Sequence, residues 1–195
     1  MPNILLIFIR NPELGKVKTR LARTLGDDEA LRIYHLLLEK TRAAAIDCNA
    51  ERWLMYSHFL DENDGWNPTL FQKKVQSDGD LGQRMEAAFQ HALDAGAEKV
   101  VIIGSDCPTL TGAILNQAFA ALDTHDLVIG PVPDGGYYLL GMRSLLPTLF
   151  RNMAWSTESV RATTLERIAA AGKTVAALPM LMDVDTEADW LGVLG

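Results

Sequence analysis

Short apolar runs alternate with longer segments of helical period along this chain, and that alternation restricts it to few architectures. Strand-length runs occupy Asn3–Ile9, residues 52–57, Lys99–Ile103, and residues 126–129, 137–141 and 174–178. Between them, Leu31, Tyr34, His35, Leu38 and Ala45 recur at helical spacing after Asp27, a residue able to cap that helix. Leu81, Met85, Ala88, Phe89 and Ala92 form a second stripe, closed by Gly96 where a C-terminal cap belongs. Residues 111–122 and 157–171 read as further helices, and Thr186-Glu187-Ala188-Asp189 resembles a capping box opening a short terminal one. Residues 60–70, rich in Asp, Asn, Gly and Pro, read as a surface loop. Strands separated by crossover helices pair in parallel with right-handed connections. The expected fold is an α/β three-layer sandwich with a mixed, mainly parallel central sheet, and its functional groups should gather beyond the carboxyl ends of the strands.

The length of 195 residues suits one compact domain covering residues 1–195. No stretch reaches the roughly 20 apolar residues of a membrane span. The first twelve residues, MPNILLIFIRNP, read as a strand and not a signal peptide. Cys48 and Cys107 lack C-x-x-C spacing, so neither a zinc knuckle nor a disulfide framework is indicated, and a reducing cytoplasm is expected. A net charge of -7 argues against nucleic acid as a partner. Residues 10–23 depart from that balance, with Arg10, Lys16, Lys18, Arg20 and Arg23 set against the single acid Glu13. Such a segment is sized for a di- or triphosphate.

The loop Gly15-Lys16-Val17-Lys18-Thr19-Arg20-Leu21 offers ammonium, guanidinium and backbone N–H donors at a glycine-permitted turn, the groups that phosphate oxygens require. It is not a P-loop, because Val17 stands where that motif needs glycine. A solvated basic helix start is the alternative. Ser105-Asp106-Cys107-Pro108 follows a buried apolar strand, where a carboxylate is placed to hold a hard divalent cation or simply to cap a turn. Cys107 reads as a packing residue. In Met182-Asp183-Val184-Asp185-Thr186 an extended backbone would point both aspartates the same way. Asp185 is then either a second metal ligand or a negative charge at a helix start. Asp134-Gly135-Gly136 permits close approach of backbone to ligand, and is equally an ordinary hairpin turn. No His spacing supports a zinc hydrolase, and no Gly-x-Ser-x-Gly supports a serine hydrolase.

Together FIRNPELGKVKTRLA, SDGDLGQRM, IIGSDCPTL, PVPDGGYYLLG, WSTESV and DVDTEADW resemble, in order, the bacterial glycosyltransferase-like family also called radical-SAM/selenodomain-associated transferases. That family belongs to the nucleotide-diphospho-sugar transferase superfamily with a GT-A-like fold. Lys18-Thr19-Arg20-Leu21 is similar to a basic segment of phospholactate guanylyltransferases, and Asp183-Val184-Asp185-Thr186 to an Asp-x-Asp-Thr segment of sugar-acid cytidylyltransferases. The resemblance implies Asp106 and Asp185 as ligands of Mg²⁺ or Mn²⁺, and Lys18 and Arg20 as triphosphate contacts acting with Asp106. Arg10, Gly15, Lys16, Arg23, Asp80, Arg84, Ser105, Asp134, Gly135 and Gly136 are the further candidate substrate contacts. The Gly-rich nucleotidyltransferase signature after the first strand is replaced here by Ile9-Arg10-Asn11-Pro12, and the central strand ends in one carboxylate instead of Asp-x-Asp. The expected function is metal-dependent nucleotidyl or glycosyl transfer from a nucleotide or nucleotide sugar to a small acceptor. The alternative is a nucleotide-binding regulatory domain without turnover.

Overall fold

A computed structural model describes residues 2–194. One sheet contains β1 (Asn3–Ile9), β2 (Glu51–Tyr56), β3 (Gln72–Val75), β4 (Lys99–Ile103), β5 (Leu127–Pro131), β6 (Tyr137–Met142) and β7 (Val175–Ala177). Their order is β3-β2-β1-β4-β6-β5-β7, with β6 antiparallel to both neighbours and the other pairs parallel. The expected mixed, mainly parallel sandwich is therefore the fold. Alternate side chains of the central strands divide the core. Leu5, Ile7, Val101 and Ile103 pack under α2 (Asp27–Ile46) and α4 (Gly112–Ala121), while Ile4, Leu6, Val100 and Ile102 pack under α3 (Leu81–Asp94) and α5 (Val160–Ala170). Each fully buried Leu or Ile contributes about 1.5–3 kcal/mol.

Two details of local chemistry differ from expectation. β3 emerges from Gln-Lys-Lys-Val, which has no apolar alternation: it lies at the sheet edge, where Lys73 is tucked against Asp64 at 2.6 Å and Lys74 lies over the Trp53 ring. Asp27 does not cap α2; Gly26, at φ 84°, takes the cap position without a side-chain bond. Asp27, Asp28 and Glu29 instead fill the first turn, where negative charge meets the positive end of the helix dipole. The terminal capping box is formed. Thr186 N donates to Asp189 Oδ2 at 2.7 Å, and Asp189 N donates to Thr186 Oγ1 at 3.3 Å, opening α6 (Glu187–Leu194).

Between β7 and α6 the chain crosses the carboxyl edge of the sheet as an extended strap. Leu178 N donates to Ile129 O at 2.9 Å, Leu181 N to Pro131 O at 3.1 Å, and Val184 N to Asp106 O at 2.9 Å. The strap thus runs past the ends of β5 and β4 toward α1 (Thr19–Leu25). Val184 ends it by inserting fully buried among Leu21, Ala30, Ile33 and Leu37 of α1 and α2. Among the described residues no helix is long and apolar enough to cross a membrane.

Candidate active site

The loops after β1, β4 and β5 and the strap after β7 converge on one sheet edge. Lys18 lies at the centre. Its ammonium is 2.6 Å from Asp106 Oδ1 and 3.2 Å from Asp185 Oδ1, and donates to the Val184 carbonyl at 2.6 Å. Only 6% of its side chain is exposed. Burial alone would lower its pKa; the carboxylates of Asp106 and Asp185 outweigh that and raise it. Its backbone adopts φ 47°, a left-handed conformation that costs a non-glycine residue about 1–2 kcal/mol. The ammonium's three partners fix it there. Arg20 reaches Asp185 Oδ2 only at 3.4 Å and is largely exposed.

Asp106 is held by its flanks. Ser105 is buried beside it, its hydroxyl 3.4 Å from that of Tyr34. The Tyr34 hydroxyl also accepts from Arg10 N at 2.9 Å and donates to Arg10 O at 3.0 Å, so one α2 side chain ties the ends of β1 and β4 together. Burial pushes its pKa up to about 12. Asn11 does the same for β1 and β2: its Oδ1 accepts from the backbone of His58 and Phe59, and its Nδ2 donates to Phe59 O. Cys107 is buried, and burial, with Asp183 and Asp106 nearby, drives its thiol far above the reactive range. It packs, as its sequence context suggests.

Next to Asp106 opens a small cleft of about 90 Å³, lined by Gly104, Asp106, Leu110, Tyr137, Tyr138 and Asp183 among others. Asp183 and Asp185 part company here. Asp185 faces Lys18 and Arg20, whereas Asp183 lines the cleft and has no cationic partner among the described residues. Burial first, then the charges of Asp134, Asp185 and Asp106, raise the Asp183 pKa to about 6.

Among the described residues no ready cluster of three His, Cys, Asp or Glu ligands exists. Magnesium does not need one, since it commonly takes one or two carboxylates and completes its shell with water and phosphate. Asp106 and Asp185 share one ammonium, so they are close enough to share a cation, and Asp134 and Asp183 add negative charge beside them. That donor set fits a hard divalent ion.

The remaining sequence candidates divide. Arg10 and Arg23 have exposed side chains near the loop, and Lys16 pairs with Glu13 at 2.6 Å. Gly15 turns at φ 73° as the loop requires. Asp134 accepts from Gly136 N at 2.9 Å, forming a local turn. Gly135 is spoken for: a side chain there would strike the Glu158 backbone, and its carbonyl accepts from Arg161 N, so its smallness serves packing of the loop after β5 onto the start of α5. Asp80 is the N-cap of α3 in a complete capping box with Gln83, and Arg84 donates back to Gly79 O at 2.8 Å. Sequence reasoning missed Tyr34, Asn11 and the cleft tyrosines. Tyr34 looks like any stripe residue of α2, and only Asn11, a polar residue at a strand end, carried a signal.

The fold and the convergence of these loops define the nucleotide-diphospho-sugar transferase class. A structure from Desulfovibrio desulfuricans G20, provisionally assigned as a nucleotide-diphospho-sugar transferase, is 34% identical, with TM-score 0.90 over 98% of this chain and 85% of that one. A nucleotidyl transferase from Methanothermobacter has the same fold at 12% identity and TM-score 0.65, covering 98% of this chain and 95% of its own. Rv0371c from Mycobacterium tuberculosis H37Rv, solved in complex with manganese, matches at 12% identity and TM-score 0.59, over 100% and 98% of the two chains. No curated protein matches. Residues 40–157 match the model of the family described as "Uncharacterized protein conserved in bacteria (DUF2064)", and this chain belongs to that family.

Proposed function

We propose that this protein is a divalent-metal-dependent transferase that grips the phosphates of a nucleoside triphosphate or nucleotide sugar and passes a nucleotidyl or glycosyl group to a small acceptor. The observation that carries the reading is the meeting of the basic loop after β1 with Asp106 and Asp185 at one sheet edge, beside an open cleft. Asp106 and Asp185 would hold the metal. Bound there, Mg²⁺ or Mn²⁺ supplies Lewis-acid neutralisation of phosphate charge. The exposed guanidiniums of Arg10 and Arg20 supply charge-assisted donors to phosphate oxygens, and the cleft lined by Tyr137, Tyr138 and Leu110 takes the acceptor.

The basic loop favours nucleotidyl transfer, in which an acceptor oxygen attacks the α-phosphorus and pyrophosphate leaves. Arg20 then steadies the charge that develops on the leaving oxygens. Glycosyl transfer is favoured by the relative from Desulfovibrio desulfuricans, assigned to nucleotide-diphospho-sugars at 34% identity. The six motifs resemble those of the radical-SAM/selenodomain-associated group and support membership of it under this reading.

Purified protein incubated with each of the four nucleoside triphosphates and common nucleotide sugars, with Mg²⁺ or Mn²⁺ and an acceptor panel, decides between them. Pyrophosphate release marks nucleotidyl transfer, and nucleoside diphosphate release marks glycosyl transfer. Asp106→Asn should abolish metal-dependent nucleotide binding while leaving the far-UV spectrum native. Binding without turnover on any substrate would point to the regulatory alternative, and no binding at all would sink both readings.

A further inference from the structure

The two carboxylates assigned above to the metal already share a cation. The Lys18 ammonium lies 2.6 Å from Asp106 and 3.2 Å from Asp185, with the Val184 carbonyl as third partner and almost no access to solvent. In this position it is not a phosphate donor. Its donor directions are spent on the protein, whereas Arg10 and Arg20 present exposed side chains. A divalent ion drawing on Asp106 and Asp185 must compete with this ammonium for their oxygens, and like charges so close repel strongly. Lys18 has a flexible four-carbon stem and a point charge, so it can leave the seat by rotating about its own bonds. A place for it to go opens when phosphates bind to the same basic loop.

We infer that Lys18 is an exchangeable internal counter-ion, which holds Asp106 and Asp185 in the unliganded protein and yields them to the metal as its ammonium moves to the nucleotide's phosphates. The inference rests on the reading of Asp106 and Asp185 as the metal pair. It makes metal and nucleotide binding mutually dependent through one side chain: metal alone binds against the ammonium, and phosphates remove the competitor. By linkage each ligand raises the affinity of the other by the same factor. It also gives the seat a structural consequence. Lys18 joins the loop after β1 to the strap after β7, so its departure loosens the Val184 end of the strap when substrate arrives.

The test is titration of Mn²⁺ alone, followed by the resonance of the free ion, into wild type, Lys18→Met, Asp106→Asn and the Lys18→Met/Asp106→Asn double variant. Removing the competing ammonium should tighten Mn²⁺ binding about tenfold or more, within the usual range of coupling between sites. The gain should vanish in the double variant. Adding tripolyphosphate should tighten Mn²⁺ binding in wild type beyond its effect in Lys18→Met. Should Asp106→Asn weaken Mn²⁺ binding while Lys18→Met leaves it unchanged or weaker, the metal site stands and the counter-ion inference falls. Should Asp106→Asn have no effect on Mn²⁺ binding to wild type, both fall together. A measurement on wild type guards against a variant that does not fold: acylation of Lys18, read by mass spectrometry, should accelerate several-fold at saturating Mn²⁺. Unchanged labelling there overturns the inference.

Discussion

Three cations converge on the site, and they differ in what they have left to offer. Lys18 spends its donors on Asp106, Asp185 and Val184, while Arg20 makes one long contact and the Arg10 side chain is exposed. An exposed ion pair such as Arg20–Asp185 contributes only about 0–1 kcal/mol to stability. Arg20→Ala and Arg10→Ala should therefore leave the denaturant midpoint within experimental scatter. Both should weaken triphosphate binding and flatten its salt dependence, because charge-assisted contacts are lost. Unchanged affinity in both variants would reduce the loop to a solvated helix start. The types of residue needed for such a site were legible in the sequence, but their partners were not. Nothing in a one-dimensional pattern says that Lys18 closes on Asp185 across 167 positions, or that Asp183 and Asp185 face different neighbours.

The elements assemble largely as their periodicity dictates, and the exceptions have physical causes. β3 escaped notice because an edge strand needs no apolar alternation, and its lysines take their partners, Asp64 and the Trp53 ring, from elsewhere in the chain. Gly135 reads in the sequence equally as a ligand-approach glycine or a turn, and the Glu158 backbone packed against it, which the sequence cannot show, gives its smallness a packing reason. At the opposite edge, the three-residue β7 depends on Asp126, which accepts from Thr174 N and Oγ1 at 2.9 Å each and pairs with Lys173 at 3.0 Å. The backbone bond from Thr174, with help from Lys173, lowers the Asp126 pKa from 3.8 to about 2. A carboxyl depressed on folding stabilises the native state above its unfolded pKa, and that contribution is lost as the pH falls through the folded value. Asp126→Asn should thus be less stable than wild type at pH 7, with the gap closing between about pH 4 and pH 2. Parallel stability–pH curves for the two proteins would show that the clamp does not depend on charge.

At the scale of the whole molecule, the site is built by chain segments from both ends meeting on the central strand. Residues 40–157 match the family model, yet the basic loop and the strap lie on either side of that span. What keeps them together is a small third core, in which Val184 packs fully buried against Leu21, Ala30, Ile33 and Leu37, with Trp190 alongside. Packing there should control the site, because the same residue's carbonyl receives the Lys18 ammonium and its neighbour is Asp185. Val184→Ala removes two buried methyl groups and should cost about 2 kcal/mol. In a chain of this length that lowers the melting temperature by roughly 4–8 °C. Leu149→Ala is the matched control: Leu149 is equally buried, but in the core on the α3 and α5 face of the sheet. It should cost as much stability or more, about 2–5 kcal/mol. Only Val184→Ala should also weaken Mn²⁺–nucleotide binding at a temperature where both variants are folded, because it lets the strap shift Asp185 relative to Asp106. Isothermal titration of both variants alongside thermal unfolding separates the two effects. If the variants lose affinity equally, or if neither does, the strap's packing does not position the site and Asp185 is held by its local hydrogen bonds alone.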